Sequence, residues 1–256
     1  MSKLEIYQFE ALKDNYGYLV HEPSSGATAA IDTPEVAPIL KALDDKGWKL
    51  THILNTHHHF DHAGGNAELK ALTGCTIVGP RGEKDLIPGI DRAVGDGDIV
   101  ELGAARARVL EVPGHTRGHI AYHFADDHVV FVGDTLFALG CGRLFEGTAA
   151  QMWVSLGKLM ALPDDTTVYC AHEYTQSNAR FALSVEPQNK ALVERAKEID
   201  AKRARGEWTV PTTIGLEKAT NPFLRAASRD LRHTVGLDAA ADVDVFAETR
   251  KRKDNF

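Results

Sequence analysis

Cysteine is scarce and scattered: Cys75, Cys141 and Cys170 are the only three in 256 residues, an odd number placed far apart. That spacing excludes a disulfide framework and fits a reducing compartment. No apolar run is long enough to span a bilayer, and Met1-Ser2-Lys3-Leu4-Glu5-Ile6 lacks the apolar core of a signal peptide. A cytoplasmic chain with no membrane partner is therefore expected. Basic residues are outnumbered, 29 Lys and Arg against 36 Asp and Glu, and the formal net charge of −7 argues against a broad nucleic-acid-binding face. A local basic patch is still compatible with it. Internal repeats and low-complexity segments are absent. The remaining composition, 43% hydrophobic and 25% charged, is that of a globular chain, long enough for one large domain or a domain with an appendage.

Against this background one stretch stands out, Thr56-His57-His58-His59-Phe60-Asp61-His62-Ala63-Gly64-Gly65-Asn66. It sets five metal-ligand side chains within six residues, directly after the β-prone Ile53-Leu54. Residues two apart on an extended segment point the same way. His57 and His59 can thus face one ion while His58 faces elsewhere, and Asp61 with His62 can turn toward a second. One zinc site needs only three or four ligands. A histidine-rich surface turn would be the bland alternative, but an H-x-H-x-D-H string running into Gly-Gly is far more specific than a lone histidine pair.

Short β-prone pieces at 4–9, 16–21 and 28–31, broken by turn formers such as Asn15 and the Pro23-Ser24-Ser25-Gly26 loop, read as a meander. Apolar spacing at Ile39, Leu40 and Leu43, stopping at Gly47, predicts a helix over 36–46. A strand over 48–55 then delivers the histidine motif. Beyond it come a short helix over 66–73, a strand over 76–79, a loop over 88–98, and strands over 99–102, 107–112, 120–124 and 128–132. A helix over 149–162 and a strand over 167–170 follow. This order predicts two stacked sheets with helices outside, not a doubly wound parallel sheet. After His172 the texture becomes helical, with helices over 178–186 and 189–205 divided by Pro187, and no β alternation returns. A boundary near residue 173 is expected, with a catalytic domain over 1–172 and a smaller helical domain over 173–256.

Three further strand ends offer loop-borne ligands. Val112-Pro113-Gly114-His115-Thr116-Arg117-Gly118-His119 exposes His115, Phe131-Val132-Gly133-Asp134-Thr135 exposes Asp134, and Val168-Tyr169-Cys170-Ala171-His172-Glu173 exposes His172. Each alone reads equally as a turn histidine, a helix cap or a core residue. Together, downstream of the histidine motif, they read as ligands. Neither Cys141 nor any serine sits in a triad context, so covalent catalysis is the weaker reading.

At these residues the chain resembles the glyoxalase II, or hydroxyacylglutathione hydrolase, family of metallo-β-lactamase-fold enzymes. The resemblance runs through Asp14–Leu19, Thr56–Asn66, Gly133–Phe137, Gly140–Arg143, His172–Thr175, Thr220–Arg225 and Arg250–Phe256. It implies an α/β (α+β) fold, a four-layer αββα sandwich with a smaller C-terminal helical domain. It implies two divalent metal ions per chain, zinc first, with iron or manganese as alternatives. His57, His59 and His115 would hold one ion, Asp61, His62 and His172 the other, with Asp134 bridging. His58 and His119 stand behind these ligands as supports.

The implied reaction is hydrolysis of S-(2-hydroxyacyl)glutathione, such as S-D-lactoylglutathione, to a 2-hydroxy acid and glutathione by a metal-bridging hydroxide. This is the second step of methylglyoxal detoxification. Asp61 and Asp134 would be the catalytic carboxylates, Asp61 orienting the attacking water. Arg143, Tyr174, Asn178, Arg250 and Lys253 would bind glutathione, cations suiting its carboxylates. Arg250 to Lys253 also reads as a solvated helix end favoured by the helix dipole. Phe145 departs from the tyrosine of some family members, so a hydroxyl contact to substrate is missing there. A monomer acting on a small molecule is expected. The competing readings are a metallohydrolase of lactones or phosphodiesters, and an iron-bearing redox member of the fold.

Overall fold

The computed structural model describes residues 3–256. Met1 and Ser2, part of the amino-terminal stretch read above for a leader, lie outside the described residues. Packing divides the chain into two compact units, the first running up to Glu111 and from Arg117 to Gly133, the second comprising Val112–Thr116 and Asp134–Phe256.

The first unit opens with the antiparallel strands β1 (Glu5–Ala11), β2 (Asn15–Glu22) and β3 (Ala27–Ile31). Helix α1 (Val36–Lys46) ends at Gly47, whose φ of 66° supplies the left-handed cap that glycine adopts without strain. It returns the chain to β4 (His52–Leu54), parallel to β3. The four-residue helix α2 (Phe60–Ala63) and then α3 (Asn66–Thr73) lead to β5 (Thr76–Pro80) and β6 (Arg92–Val94), which extend the parallel part. Ile39, Ala42 and Leu43 of α1 and Leu69 of α3 bury their apolar faces with Leu19, Ala30, Ile53 and Ile77 of the sheet.

A second sheet, β7 (Ile99–Leu102), β8 (Ala105–Glu111), β9 (Ile120–Phe124) and β10 (Val129–Gly133), is antiparallel throughout. The two sheets stack within this unit. The Tyr18 ring lies 5.6 Å from Phe131, and the Tyr122 hydroxyl donates to the carbonyl of Asn55 at 2.9 Å.

The second unit holds the hairpin β11 (Leu136–Phe137) and β12 (Gly140–Cys141), helix α4 (Ala149–Met160), and β13 (Thr167–Cys170) paired with β14 (Thr212–Thr213). Helices α5 (Thr175–Val185), α6 (Lys190–Ala204), α7 (Ile214–Thr220), α8 (Arg229–Val235) and α9 (Asp242–Asp254) complete it. Ala179 and Ala182 of α5 pack on Leu192, Ala196 and Ile199 of α6. The rings of Phe181, Phe223 and Phe246 stack beside them. A buried polar network, in which Arg195 donates to Glu217, Thr212 and Thr220, is internally satisfied, as a low-dielectric interior demands.

Three local expectations need correction. The 88–98 loop contains β6, because Asp91 accepts the amide of Ile77 at 2.8 Å and pins the chain beside β5. A strand returns after His172, because β14 is only two residues long and too short for alternation to register. The helix expected from residue 178 begins at Thr175. All three cysteines are buried and free, in line with the absence of a disulfide framework. Among the described residues no helix is long and apolar enough to cross a membrane.

Candidate metal centre

In the first unit, β3 and β4 run parallel and end side by side, which places Asp32 next to Thr56. Asp32 adopts a left-handed backbone (φ 57°) and accepts three hydrogen bonds. They come from the Thr56 amide at 2.7 Å, the Thr56 hydroxyl at 2.8 Å and His62 Nδ1 at 2.9 Å. A carboxylate on Nδ1 fixes the imidazole tautomer and leaves the lone pair on Nε2, the arrangement of a metal-ligating histidine. His62 Nε2 lies 3.5 Å from Asp61 Oδ2. Asn15 donates to both the carbonyl and Oδ2 of Asp61 at 3.2 Å, steering that carboxylate.

His57 Nε2 and His59 Nδ1 face each other at 3.1 Å, two lone-pair nitrogens converging as ligands of one cation would. His58 points elsewhere. Its backbone amide and Nδ1 both meet Glu83, which also accepts the Gly118 amide at 2.8 Å. His119 stacks on His57, their ring centroids 4.6 Å apart.

The second unit carries His115, Asp134 and His172, all buried. Asp134 turns Oδ2 toward His115 Nε2 and Oδ1 toward His172 Nε2, each at 3.4 Å. One carboxylate thus offers a separate oxygen to each of two histidines. His115 Nδ1 donates to the carbonyl of Arg143 at 2.9 Å, again leaving the lone pair on Nε2. His172 stacks flat against Tyr174, centroids 4.7 Å apart. Gly142 closes over this trio, since a Cβ there would fall 2.0 Å from the carbonyl oxygen of Asp134.

A cavity of about 640 Å³ opens on these donors within the second unit. Arg143, Tyr174, Asn178, Arg250 and Lys253, the five residues expected to bind substrate, all line it. Three of them are already engaged. Arg250 donates to the carbonyl of Cys141 at 2.8 Å and pairs with Asp254 at 2.9 Å, and Asn178 donates to the carbonyl of Ala138 at 3.1 Å. Lys253 Nζ sits 3.3 Å from the Ser177 hydroxyl. Burial, then the neighbouring Arg250, Arg180 and Arg143, pull its pKa down to about 8. Phe145 rests against His115, ring centroids 5.3 Å apart.

Imidazole nitrogens with carboxylate oxygens form a donor set for divalent cations, and such donors cluster in each unit, His57 and His62 buried in the first and His115, Asp134 and His172 in the second. Residues 19–172 match the family model described as metallo-beta-lactamase superfamily, and residues 173–256 match the one described as hydroxyacylglutathione hydrolase C-terminus. A hydroxyacylglutathione hydrolase of Methylococcus capsulatus is 60% identical over 253 residues, covering 99% of each chain. The chain belongs to the hydroxyacylglutathione hydrolase family.

Among solved structures, ETHE1 from Myxococcus xanthus superposes with a TM-score of 0.66 at 27% identity, over 98% of this chain and 100% of that one. TTHA1623, solved in a di-iron-bound form, gives a TM-score of 0.60 at 25% identity, over 86% and 100%. The fold is accordingly that of the metallo-β-lactamase superfamily, mixed sheets and helices followed by a helical C-terminal domain. It implies, with the donors described, divalent metal ions.

Reading the sequence missed Asp32, Glu83 and Arg180. Asp32 had a usable signal, since Ile31-Asp32 ends a strand in the same manner as Gly133-Asp134. Glu83 and Arg180 had none, lying in a turn and on a helix of unremarked polarity.

Proposed function

We propose that the chain hydrolyses S-(2-hydroxyacyl)glutathione thioesters, S-D-lactoylglutathione among them, to a 2-hydroxy acid and glutathione. One observation carries this reading: in a chain related along its whole length to a hydroxyacylglutathione hydrolase, the buried Asp134 turns one carboxylate oxygen to each of two histidines. His57, His59 and His115 would hold one divalent ion and Asp61, His62 and His172 a second, with Asp134 shared. Such a pair of ions, when bound, acidifies water to about neutral pH and polarises the substrate carbonyl. Zinc suits the ligands, as do iron and manganese.

The chain's own residues do the rest. Asp61, steered by Asn15, orients the attacking water and takes its proton. Asp32 and the Arg143 carbonyl keep His62 and His115 in the tautomer that ligates. The leaving group is a thiolate whose thiol has a pKa of about 8.5, so no general acid is needed. Cysteine nucleophiles are disfavoured, because burial pushes the thiol of Cys141 up to about 11 and that of Cys170 up to about 12.

Residues 1–172 would supply catalysis and 173–256 substrate binding, a division supported by the two family matches meeting between His172 and Glu173. Three buried free thiols support a reducing, cytoplasmic setting. The test is thiol release from S-D-lactoylglutathione measured beside lactone and phosphodiester hydrolysis on the same metal-loaded preparation. Turnover of the thioester with little of the others is expected. Preferred turnover of a lactone or phosphodiester would replace the thioester as substrate.

A further inference from the structure

The charges lining the cavity of the second unit do not balance. Arg143, Arg180, Arg250 and Lys253 reach it, against the carboxylates of Asp134 and Asp254. Asp254 is taken by Arg250, and Asp134 faces His115 and His172. Among the described residues neither Arg143 nor Arg180 has a carboxylate partner. Three cations, Arg143, Arg180 and Lys253, therefore converge on one pocket with no ion-pair partner among the described residues, in a protein whose net charge is −7. Their mutual repulsion adds to burial and to Arg250 in lowering the pKa of Lys253. Placing like charges together costs stability unless an anion joins them.

One carboxylate does not need three cations. Glutathione carries two, at opposite ends of a tripeptide that spans roughly 10 Å when extended. Lys253 and Arg143 suit the glycine end. Arg180 stands on α5 one turn beyond Ser177, the residue that meets Lys253, so it extends the cationic lining along the same helix face.

We propose that Arg180 binds the substrate's second carboxylate, that of the γ-glutamyl residue, and makes the site select an intact tripeptide thioester over a shortened one. This rests on the glutathione-thioester reading. A guanidinium offers a planar pair of donors to that carboxylate, and a partly exposed position lets the γ-glutamyl ammonium remain in water.

The experiment compares kcat/KM for S-D-lactoylglutathione and for the S-D-lactoyl thioester of N-acetylcysteinylglycine, which lacks the γ-glutamyl carboxylate. It is run on the native sequence, Arg180→Met and Arg180→Lys. Arg180 is exposed and holds no other element in place, so both variants fold. Arg180→Met should lower kcat/KM for the glutathione thioester about tenfold, the size of one charge-assisted hydrogen bond, and for the shortened thioester less than about twofold. Arg180→Lys should recover part of the loss. An equal change for both substrates, or none for either, overturns the assignment of Arg180 while leaving the thioesterase intact. Failure of the native sequence to hydrolyse the glutathione thioester overturns the functional reading, and the Arg180 assignment falls with it.

Discussion

Lys253 shows how a single side chain carries both the electrostatics and the pH response of the cavity. Its ordinary pKa of 10.5 falls to about 8, first through burial and then through three neighbouring guanidinium groups. The folded chain therefore holds this proton only below about pH 8, while the unfolded chain holds it to 10.5. The cation that attracts a carboxylate is present at pH 7 and fades by pH 9. KM for an anionic thioester is expected to rise as pH climbs from 7 to 9 and to stay flatter in Lys253→Arg, which keeps its charge; steady-state kinetics across that range decides it. From the same group, stability against unfolding gains as pH rises between 8 and 10.5, because there the unfolded chain binds the extra proton.

At this scale the sequence was legible where chemistry alone marks a residue. Histidines two apart at a strand end, and an aspartate after a Gly at another, read as donors, and the structure turns His57 toward His59 and buries Asp134. Glu83 was not legible, because its role exists only through hydrogen bonds to His58, 25 positions away.

The short elements around the donors leave little slack. Gly142 follows the two-residue strand β12 and packs so close that a Cβ would overlap the backbone carbonyl of Asp134 at 2.0 Å and crowd the ring of His115 at 3.1 Å. Gly142→Ala must move the Asp134 backbone, and His115 with it. It is expected to cost about 1–3 kcal/mol of stability, a fall in melting temperature of about 2–4 °C per kcal/mol. Metal retention should fall with it, read by thermal melts and metal content on the same sample. An alanine variant with unchanged melting and metal content would show that the close packing does not hold the trio.

The longer elements α1, α3, α4 and β7 to β9 were readable because their apolar periodicity spans enough residues to register. The hairpin β11–β12, β6 and α2 were not. Each is two to four residues long and is held by tertiary contacts instead of pattern.

Over the whole molecule, the match to family models covers residues 19–256, and five of the seven expected donors, His57, His62, His115, Asp134 and His172, are buried. The fold class could be anticipated because the residues that carry the resemblance lie in contiguous motifs. The packing of the chain into two compact units could not, since it depends on how Val112–Thr116 leaves one unit for the other. The measurement that bears most directly on the central claim is a titration of metal-stripped protein. Thioester hydrolysis would be followed as zinc, iron or manganese is added, with bound metal counted by elemental analysis at each point. Hydrolysis should reach its maximum as occupancy reaches about two ions per chain. Full activity at one ion per chain, or none at two, would contradict a binuclear thioesterase.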